Sequence, residues 1–133
     1  MASTRWKLLA EVEPDREYLA LLSYLPLKRY RAIPRFIGYT GKIKAQLNES
    51  RGVMGYSVRA QILKRDFWTL SVWENESRLM EFVHHGFHSG VMIVLRQDMG
   101  ATNFVRWMVR GADIPPAWDY ALRRWKSRDS SDA

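Results

Sequence analysis

Two segments with alternating side chains, separated by a short polar connection, constrain the fold of this chain most strongly. Residues 53–63 alternate apolar side chains with small or polar ones. Residues 67–73 alternate a mixed set, Phe67, Thr69, Ser71 and Trp73, with the apolar set Trp68, Leu70 and Val72. A period of two is typical of strands whose faces meet different surroundings. The connection Lys64-Arg65-Asp66 has room only for a turn between antiparallel neighbours. The sequence therefore predicts a β-hairpin.

A helix is predicted immediately after the second of these strands. Asn75 has the side chain of an N-cap residue, and Glu76 would place a negative charge in the first turn, where the helix dipole favours it. Apolar side chains then recur at helical spacing, at Leu79, Phe82 and Val83. Gly86 is expected to break or kink the helix, which would reorient His88.

Five further segments complete the predicted secondary structure. Residues 18–25 form an apolar run of strand length, typical of a central strand. Residues 33–47 have amphipathic helical spacing, and residues 102–110 alternate as the fourth strand. Residues 117–126 predict a tail helix that docks on the domain or on a partner subunit. Residues 127–133 are polar and are expected to be disordered.

The order of these elements is strand, helix, strand, strand, helix, strand, which predicts an α+β, ferredoxin-like βαββαβ domain. We expect one domain over residues 1–133, with a core at about 17–111 and a C-terminal helical extension at about 116–127. Both core helices would cover one face of the sheet, so the other face would meet a partner subunit and a pocket. If the alternation holds, that second face carries Ser57, Arg59, Thr69, Trp73, Phe104, Arg106 and Met108.

The composition limits the classes of protein and ligand that the chain fits. It has 133 residues, a formal charge of +7, a pI near 10.0 and no cysteine, so disulfides and thiolate chemistry are excluded. The sequence shows neither a transmembrane segment nor a signal peptide, so we expect a cytoplasmic protein without a membrane partner. The basic residues form separate clusters without an RNA-recognition signature, which favours an anionic small molecule over nucleic acid.

A resemblance to known proteins rests on two segments. The first is Thr69-Leu70-Ser71-Val72-Trp73, with Phe82 nine residues and His88 fifteen residues after the tryptophan, and the second is Phe104-Val105-Arg106-Trp107. Together they resemble the dimeric α+β barrel superfamily, which includes antibiotic-biosynthesis monooxygenases and haem-degrading monooxygenases. The strongest local likeness is to the spheroidene monooxygenase-like proteins. The resemblance implies a homodimer with paired sheets and a monooxygenase-like oxidation of a hydrophobic small molecule.

The resemblance also implies a haem in a pocket beside the second helix. His88 matches the position of a histidine that would ligate the haem iron, and Arg59 or Arg106 would pair with the propionates. The remaining haem contacts would come from Phe82 and Trp73. Haem-degrading members carry a tryptophan and a later histidine where this chain has Phe82 and a position near Met92, so degradation of the haem is not expected.

Cofactor-independent relatives imply a second chemistry, in which a substrate carbanion meets oxygen directly. In that chemistry His88, Ser71 and Arg59 would act as base and anion partners. These three are the predicted catalytic residues, and no cofactor would then be required.

Other interpretations of these residues stay open. His84 and His88 have the i, i+4 spacing of a zinc pair, but no recognisable third ligand accompanies them. His88 would otherwise cap the kinked helix, and Trp73, Phe82 and Trp107 have the size and character of core residues. The chain as a whole would then be a non-catalytic ligand-binding or oligomerisation domain.

Overall fold

The computed structural model describes residues 2–3, 5–84, 100 and 103–132. Its strands are β1 (Ala2–Ser3), β2 (Lys7–Leu8), β3 (Glu17–Pro26), β4 (Val53–Gln61), β5 (Asp66–Trp73) and β6 (Asn103–Arg110). Its α-helices are α1 (Ile33–Glu49), α2 (Glu76–His84) and α3 (Trp118–Asp132), and short 3-10 helices occupy Tyr30–Ala32, Ile62–Lys64 and Gly111–Asp113. None of the helices described here is long and apolar enough to cross a membrane.

One antiparallel sheet contains all six strands. The four long strands lie in the order β4-β5-β3-β6, and β1 and β2 both pair with β4. β3 lies between two strands, and its side chains are buried on both faces of the sheet, which accounts for the almost continuous apolar run of residues 18–25. This topology confirms the ferredoxin-like prediction and the antiparallel β4–β5 hairpin.

The first face of the sheet, here called the α face, is covered by α1 and α2. Residues from both helices and the sheet form one buried cluster, made of Leu19, Leu47, Val53, Tyr56, Trp73, Leu79 and Phe82. Burial of these large side chains holds α2 against the sheet. The helix begins as the sequence predicts, because the Asn75 Oδ1 atom accepts a hydrogen bond from the Arg78 backbone N–H at 3.0 Å.

The second face of the sheet, here called the tail face, is covered by α3 and by the segment that contains Trp6. Ala121 of α3 is fully buried there. The cluster around it contains Tyr18, Ala20, Leu22, Met54, Trp68, Leu70, Val72 and Trp107, with Trp118, Leu122 and Trp125 packed against them. The tail helix therefore docks on its own domain, and its helical backbone continues to Asp132, although disorder was expected from residue 127.

The turn between β4 and β5 is longer than the sequence suggested. β4 ends at Gln61, which pairs with Asp66, so residues 62–65 connect the strands in place of the predicted three. The observed register places Arg59 opposite Trp68, whereas the shorter connection would have placed it opposite Ser71. Because side chains alternate along a strand, this odd shift exchanges the faces of β4 relative to β5.

The residues predicted to share one face are therefore divided between two. Ser57 and Arg59 of β4 lie on the tail face, where both contact Trp118 of α3. The others, namely Thr69, Trp73, Phe104, Arg106 and Met108, lie on the α face, although they were predicted on the face opposite the core helices. The prediction of one common wall is wrong because alternation defines two faces for each strand, and only the register shows which faces coincide.

Gly111 is expected to be sensitive to any added side chain. A Cβ atom at this buried position would lie 1.9 Å from the Glu13 carbonyl oxygen, whereas a Cβ atom at Gly41 in α1 would meet no atom within 4 Å. Gly111→Ala should lower the free energy of unfolding by about 1–3 kcal/mol because the backbone must shift. Gly41→Ala should raise it by roughly 0.5–1 kcal/mol because alanine favours the helix. Urea unfolding measures both, and equal effects would contradict the packing at Gly111.

Candidate functional site

Three side chains of β6 project from the α face beside α2. Phe104 and Met108 are 53% and 56% exposed, although both are large and apolar. Arg106 lies between them, and its Nη1 atom is 3.0 Å from Oε1 of Glu76 in the first turn of α2. We call Phe104, Arg106 and Met108 the β6 wall. Two apolar surfaces with one cation between them suit a hydrophobic ligand that carries one anionic or polar group.

A groove of about 570 Å³ lies along β6 and includes one end of this wall. Its lining includes Met108, Arg110, Asp113, Pro116 and Tyr120. The volume falls within the range of small-molecule sites, roughly 300–1,000 Å³. Because Met108 belongs to both features, a ligand in the groove would reach the β6 wall.

The predicted site residues Ser71, Trp73 and Phe82 lie together, but inside the core. Trp73 and Phe82 are 1% and 8% exposed, and their ring centroids are 5.2 Å apart. The Trp73 Nε1–H donates a hydrogen bond of 2.9 Å to the buried Ser71 Oγ atom. Because neighbouring side chains cover both rings, neither offers a free face to a macrocycle. These residues therefore do not fit the haem site that the resemblance implies.

Arg59, another predicted site residue, lies on the opposite side of the sheet. Its guanidinium carbon is 5.5 Å from the Trp118 ring centroid, within the range of a cation–π contact. The Trp118 Nε1–H donates to the Ser57 Oγ atom at 3.3 Å. The Arg59 Nε atom is buried and has no hydrogen-bond acceptor among the residues that the structure describes. Arg59 thus contributes to docking α3 and does not share a site with Ser71 or Arg106.

The histidine side chains of the predicted site lie outside the part of the chain that the structure describes. His84 ends α2, and its side chain is outside the described part, as are His85 and His88. Over residues 2–3, 5–84, 100 and 103–132, no group of three histidine, cysteine, aspartate or glutamate side chains could hold a metal ion. The roles of His88 as a base, a haem ligand or half of a zinc pair stay predictions.

The acidic partner of Arg106 was not recognised in the sequence. Glu76 was predicted only as a favourable charge in the first helical turn, yet it also forms the ion pair with Arg106. Glu74, which with Asp66 and an acid of a partner subunit is a candidate partner from the sequence, has its Oε1 atom 3.1 Å from the Arg16 Nη2 atom, and this hydrogen bond raises the Arg16 pKa above its ordinary value. Burial also raises the pKa of the Tyr56 hydroxyl in the α-face core. The Arg106 pair could have been found only by combining the face assignment of β6 with the start of α2.

Solved structures with a similar backbone identify the fold. A mutant of SnoaB, a cofactor-independent oxygenase from Streptomyces nogalater, superposes with a TM-score of 0.60 at 11% identity, over 75% of this chain and 98% of its own. An antibiotic biosynthesis monooxygenase gives a TM-score of 0.62 at 10% identity, over 67% of this chain and 95% of its own. This chain has the fold of the antibiotic-biosynthesis-monooxygenase-like proteins. A monooxygenase-like protein from Fusobacterium nucleatum gives a TM-score of 0.66 at 7% identity, and the chain spans 50% of its length.

The monooxygenase-like fold confirms the architecture that the resemblance implied. At identities of 7–11%, this similarity shows the arrangement of the backbone only. The chemistry must be argued from the residues of the site. No protein-family model and no curated protein matches the chain. The closer likeness to the spheroidene monooxygenase-like proteins stays a prediction.

The position of α3 bears on the expected homodimer. The sequence-based argument required an uncovered sheet face for the partner subunit, but α3 and Trp6 cover the tail face within one chain. Pairing of two monooxygenase-like sheets through this face would require α3 to leave it. The homodimer stays a prediction, and sedimentation of the full chain tests it.

A charge at Ala121 should release α3 from the tail face. Ala121→Glu would bury an unpaired carboxylate, so the free energy of unfolding should fall by about 3–5 kcal/mol. The matched control is Lys126→Glu, because Lys126 lies on the exposed side of the same helix. Tryptophan emission and limited proteolysis report the release of the helix. Equal behaviour of the two variants would show that Ala121 is not an anchor of α3.

Proposed function

We propose that the chain is a monooxygenase-like oxidoreductase that binds a hydrophobic small molecule at the β6 wall and oxidises it with molecular oxygen. The observation that carries this proposal is the exposure of Phe104 and Met108 beside the cation of Arg106 on the α face. Apolar surfaces with one directed polar group are typical of small-molecule sites. The fold shared with SnoaB, a cofactor-independent oxygenase, supports the class of reaction.

A cofactor-free reaction requires a substrate that reduces oxygen itself. Loss of a proton from an acidic carbon gives a carbanion that is conjugated to an oxyanion, and this electron-rich species transfers electrons to oxygen. For a methylene carbon, both C–H bonds and the O–O bond break, and a carbonyl group and a water molecule form. One oxygen atom enters the product and the other leaves as water with the two hydrogens, so no external reductant is needed.

We assign the anion-stabilising role to Arg106, which is exposed beside Phe104 and Met108. Its guanidinium group would stabilise the oxyanion of the activated substrate, while Glu76 holds the group in position. His88 is the proposed base that accepts the proton. Ser71 is committed to Trp73 inside the core, and Arg59 lies on the tail face, so neither enters this proposal.

Substitution of Arg106 should reduce oxygen uptake with a suitable probe. We would use 1,8-dihydroxyanthrone, a tricyclic phenol with an acidic methylene carbon, and measure oxygen consumption above its uncatalysed autoxidation. Arg106→Gln should lower the catalysed rate by about tenfold. The loss should be smaller than the roughly 10²–10³-fold typical of buried oxyanion donors, because Arg106 is partly exposed. His88→Ala should lower the rate as well, because the proton acceptor is lost.

The control for this experiment is Arg123→Gln, which removes the same charge from the exposed side of α3. Its rate should equal that of the unmodified chain. An equal loss of catalysed oxygen consumption in the Arg106 and Arg123 variants would contradict the role of Arg106. No acceleration by the unmodified chain would contradict the oxidative function.

The haem-dependent form of the proposal rests on His88 as the iron ligand and on Arg106 as a partner of the propionates. Trp73 and Phe82 are packed against each other, so the described core contributes no haem contact from these residues. A haemin titration of the unmodified chain and His88→Ala, followed in the Soret band, decides this point. A saturable shift of one haem per chain that disappears in the variant would assign the iron ligand to His88. Without such a shift, the cofactor-free chemistry is the form that stands.

A non-catalytic binding domain is the second candidate function. It is favoured by the fact that two polar groups on the α face already have protein partners, Arg106 with Glu76 and Ser71 with Trp73. This function predicts saturable quenching of tryptophan fluorescence by the same probe without any oxygen uptake. Arg106→Gln would then weaken binding and leave the background autoxidation unchanged.

A further inference from the structure

The turn between β4 and β5 carries an apolar surface that the fold itself does not use. Ile62 and Leu63 occupy this turn, and Leu63 is 85% exposed. A leucine in that position gains almost nothing from the core, since hydrophobic stabilisation follows the area removed from water. Apolar side chains that project together from a loop mark surfaces that meet a partner or a membrane.

Basic side chains surround this turn. Lys64 and Arg65 follow Leu63 directly, and the Arg65 guanidinium carbon is 4.7 Å from the Tyr30 ring centroid. The Tyr30 hydroxyl donates a hydrogen bond to the Leu63 carbonyl oxygen. These contacts join the turn to the 3-10 helix Tyr30–Ala32, which brings in further cations at Lys28, Arg29 and Arg31.

A cleft of about 290 Å³ beside this short helix is lined by Arg29, Arg31, Ala32 and Arg35. The cleft lies at the N-terminal end of α1, where the described first turn contains no acidic residue. The three guanidinium groups therefore stand beside the positive end of a helix dipole, and the described lining contains no carboxylate. An anion is favoured beside Arg29, Arg31 and the helix N-terminus, and a phosphate group matches the donor geometry of arginine.

We propose that this surface docks on an anionic lipid bilayer, with Ile62 and Leu63 inserted among the acyl chains and the arginine-lined cleft receiving headgroup phosphates. Basic residues next to exposed apolar ones are the combination by which proteins bind at a bilayer surface without crossing it. The expectation of no membrane partner was drawn from the lack of a spanning segment, and this proposal replaces it for binding at the surface. Nucleic acid would use the same arginines but would leave the projecting aliphatic side chains in water, because it is bound through phosphates and stacked bases. Leu63 therefore decides between these two partners.

Flotation of the full chain with vesicles tests the proposal. Vesicles of phosphatidylcholine containing phosphatidylserine should bind the chain, pure phosphatidylcholine should bind it more weakly, and added salt should reduce binding. Leu63→Ser should lower the partition coefficient about tenfold, because one inserted leucine is lost. The double variant Arg29→Gln/Arg31→Gln should lower it about 25-fold, because each cation near an anionic surface contributes about fivefold.

Two matched controls lie at the opposite end of the sheet. Leu8→Ser removes another exposed leucine, since Leu8 is 58% exposed on β2. Lys7→Gln/Arg51→Gln removes the same number of charges as the arginine pair in the cleft, from exposed side chains outside both candidate sites. Both controls should bind vesicles like the unmodified chain. All these side chains are exposed, so every variant should fold, and far-UV circular dichroism checks this.

Three results would overturn the proposal. The first is failure of the unmodified chain to float with anionic vesicles, or an equal loss of binding in the cleft double variant and the control double variant. The second is retention of an oligonucleotide that depends on Arg29 and Arg31 but not on Leu63, which would assign the surface to nucleic acid. The third is binding of inorganic phosphate by the cleft without any vesicle binding, which would leave a site for a small anion.

Discussion

The pairing of Gln61 with Asp66 determines which side chains of this protein come together. Because strand side chains alternate with a period of two, the length of the β4–β5 turn decides which face of β4 joins which face of β5. The observed turn places Arg59 on the tail face, where it lies over Trp118 and contributes to holding α3. Arg106, in contrast, lies on the α face, beside the first turn of α2. The candidate site is therefore defined by β6 and α2.

The docking of α3 gives the tail face a covering from the same chain. Of the six tryptophans, all except Trp73 belong to this side of the sheet. Burial of a large apolar side chain contributes about 1.5–3 kcal/mol, so the helix and its tryptophans stabilise the domain without a partner subunit. Pro116, just before α3, and Tyr120, in its first turn, also form one side of the groove along β6. One chain thus supplies both sides of the candidate binding groove.

The sequence was sufficient to predict the core strands and helices and their order, because apolar side chains recur with the period of each element. Asn75 was sufficient to predict the start of α2, since its capping chemistry is local. The face assignments were not predictable in the same way. They depend on a turn that ends with Arg65 at a φ of 59°, a conformation uncommon for residues other than glycine. The ion pair between Arg106 and Glu76 joins residues thirty positions apart, so local spacing could not reveal it.

The positive charge of the chain is distributed between two kinds of environment. Around the start of α2, arginines are neutralised in ion pairs, as in Arg16 with Glu74 and Arg106 with Glu76. At the β4–β5 turn, the cations gather around projecting aliphatic side chains and a cleft lined by arginines. A bilayer would concentrate hydrophobic small molecules near a protein docked there, because apolar solutes leave water for the acyl chains. The docking surface and the β6 wall use different residues, so either proposal can fail alone. If both hold, docking at the bilayer would supply the β6 wall with its substrate.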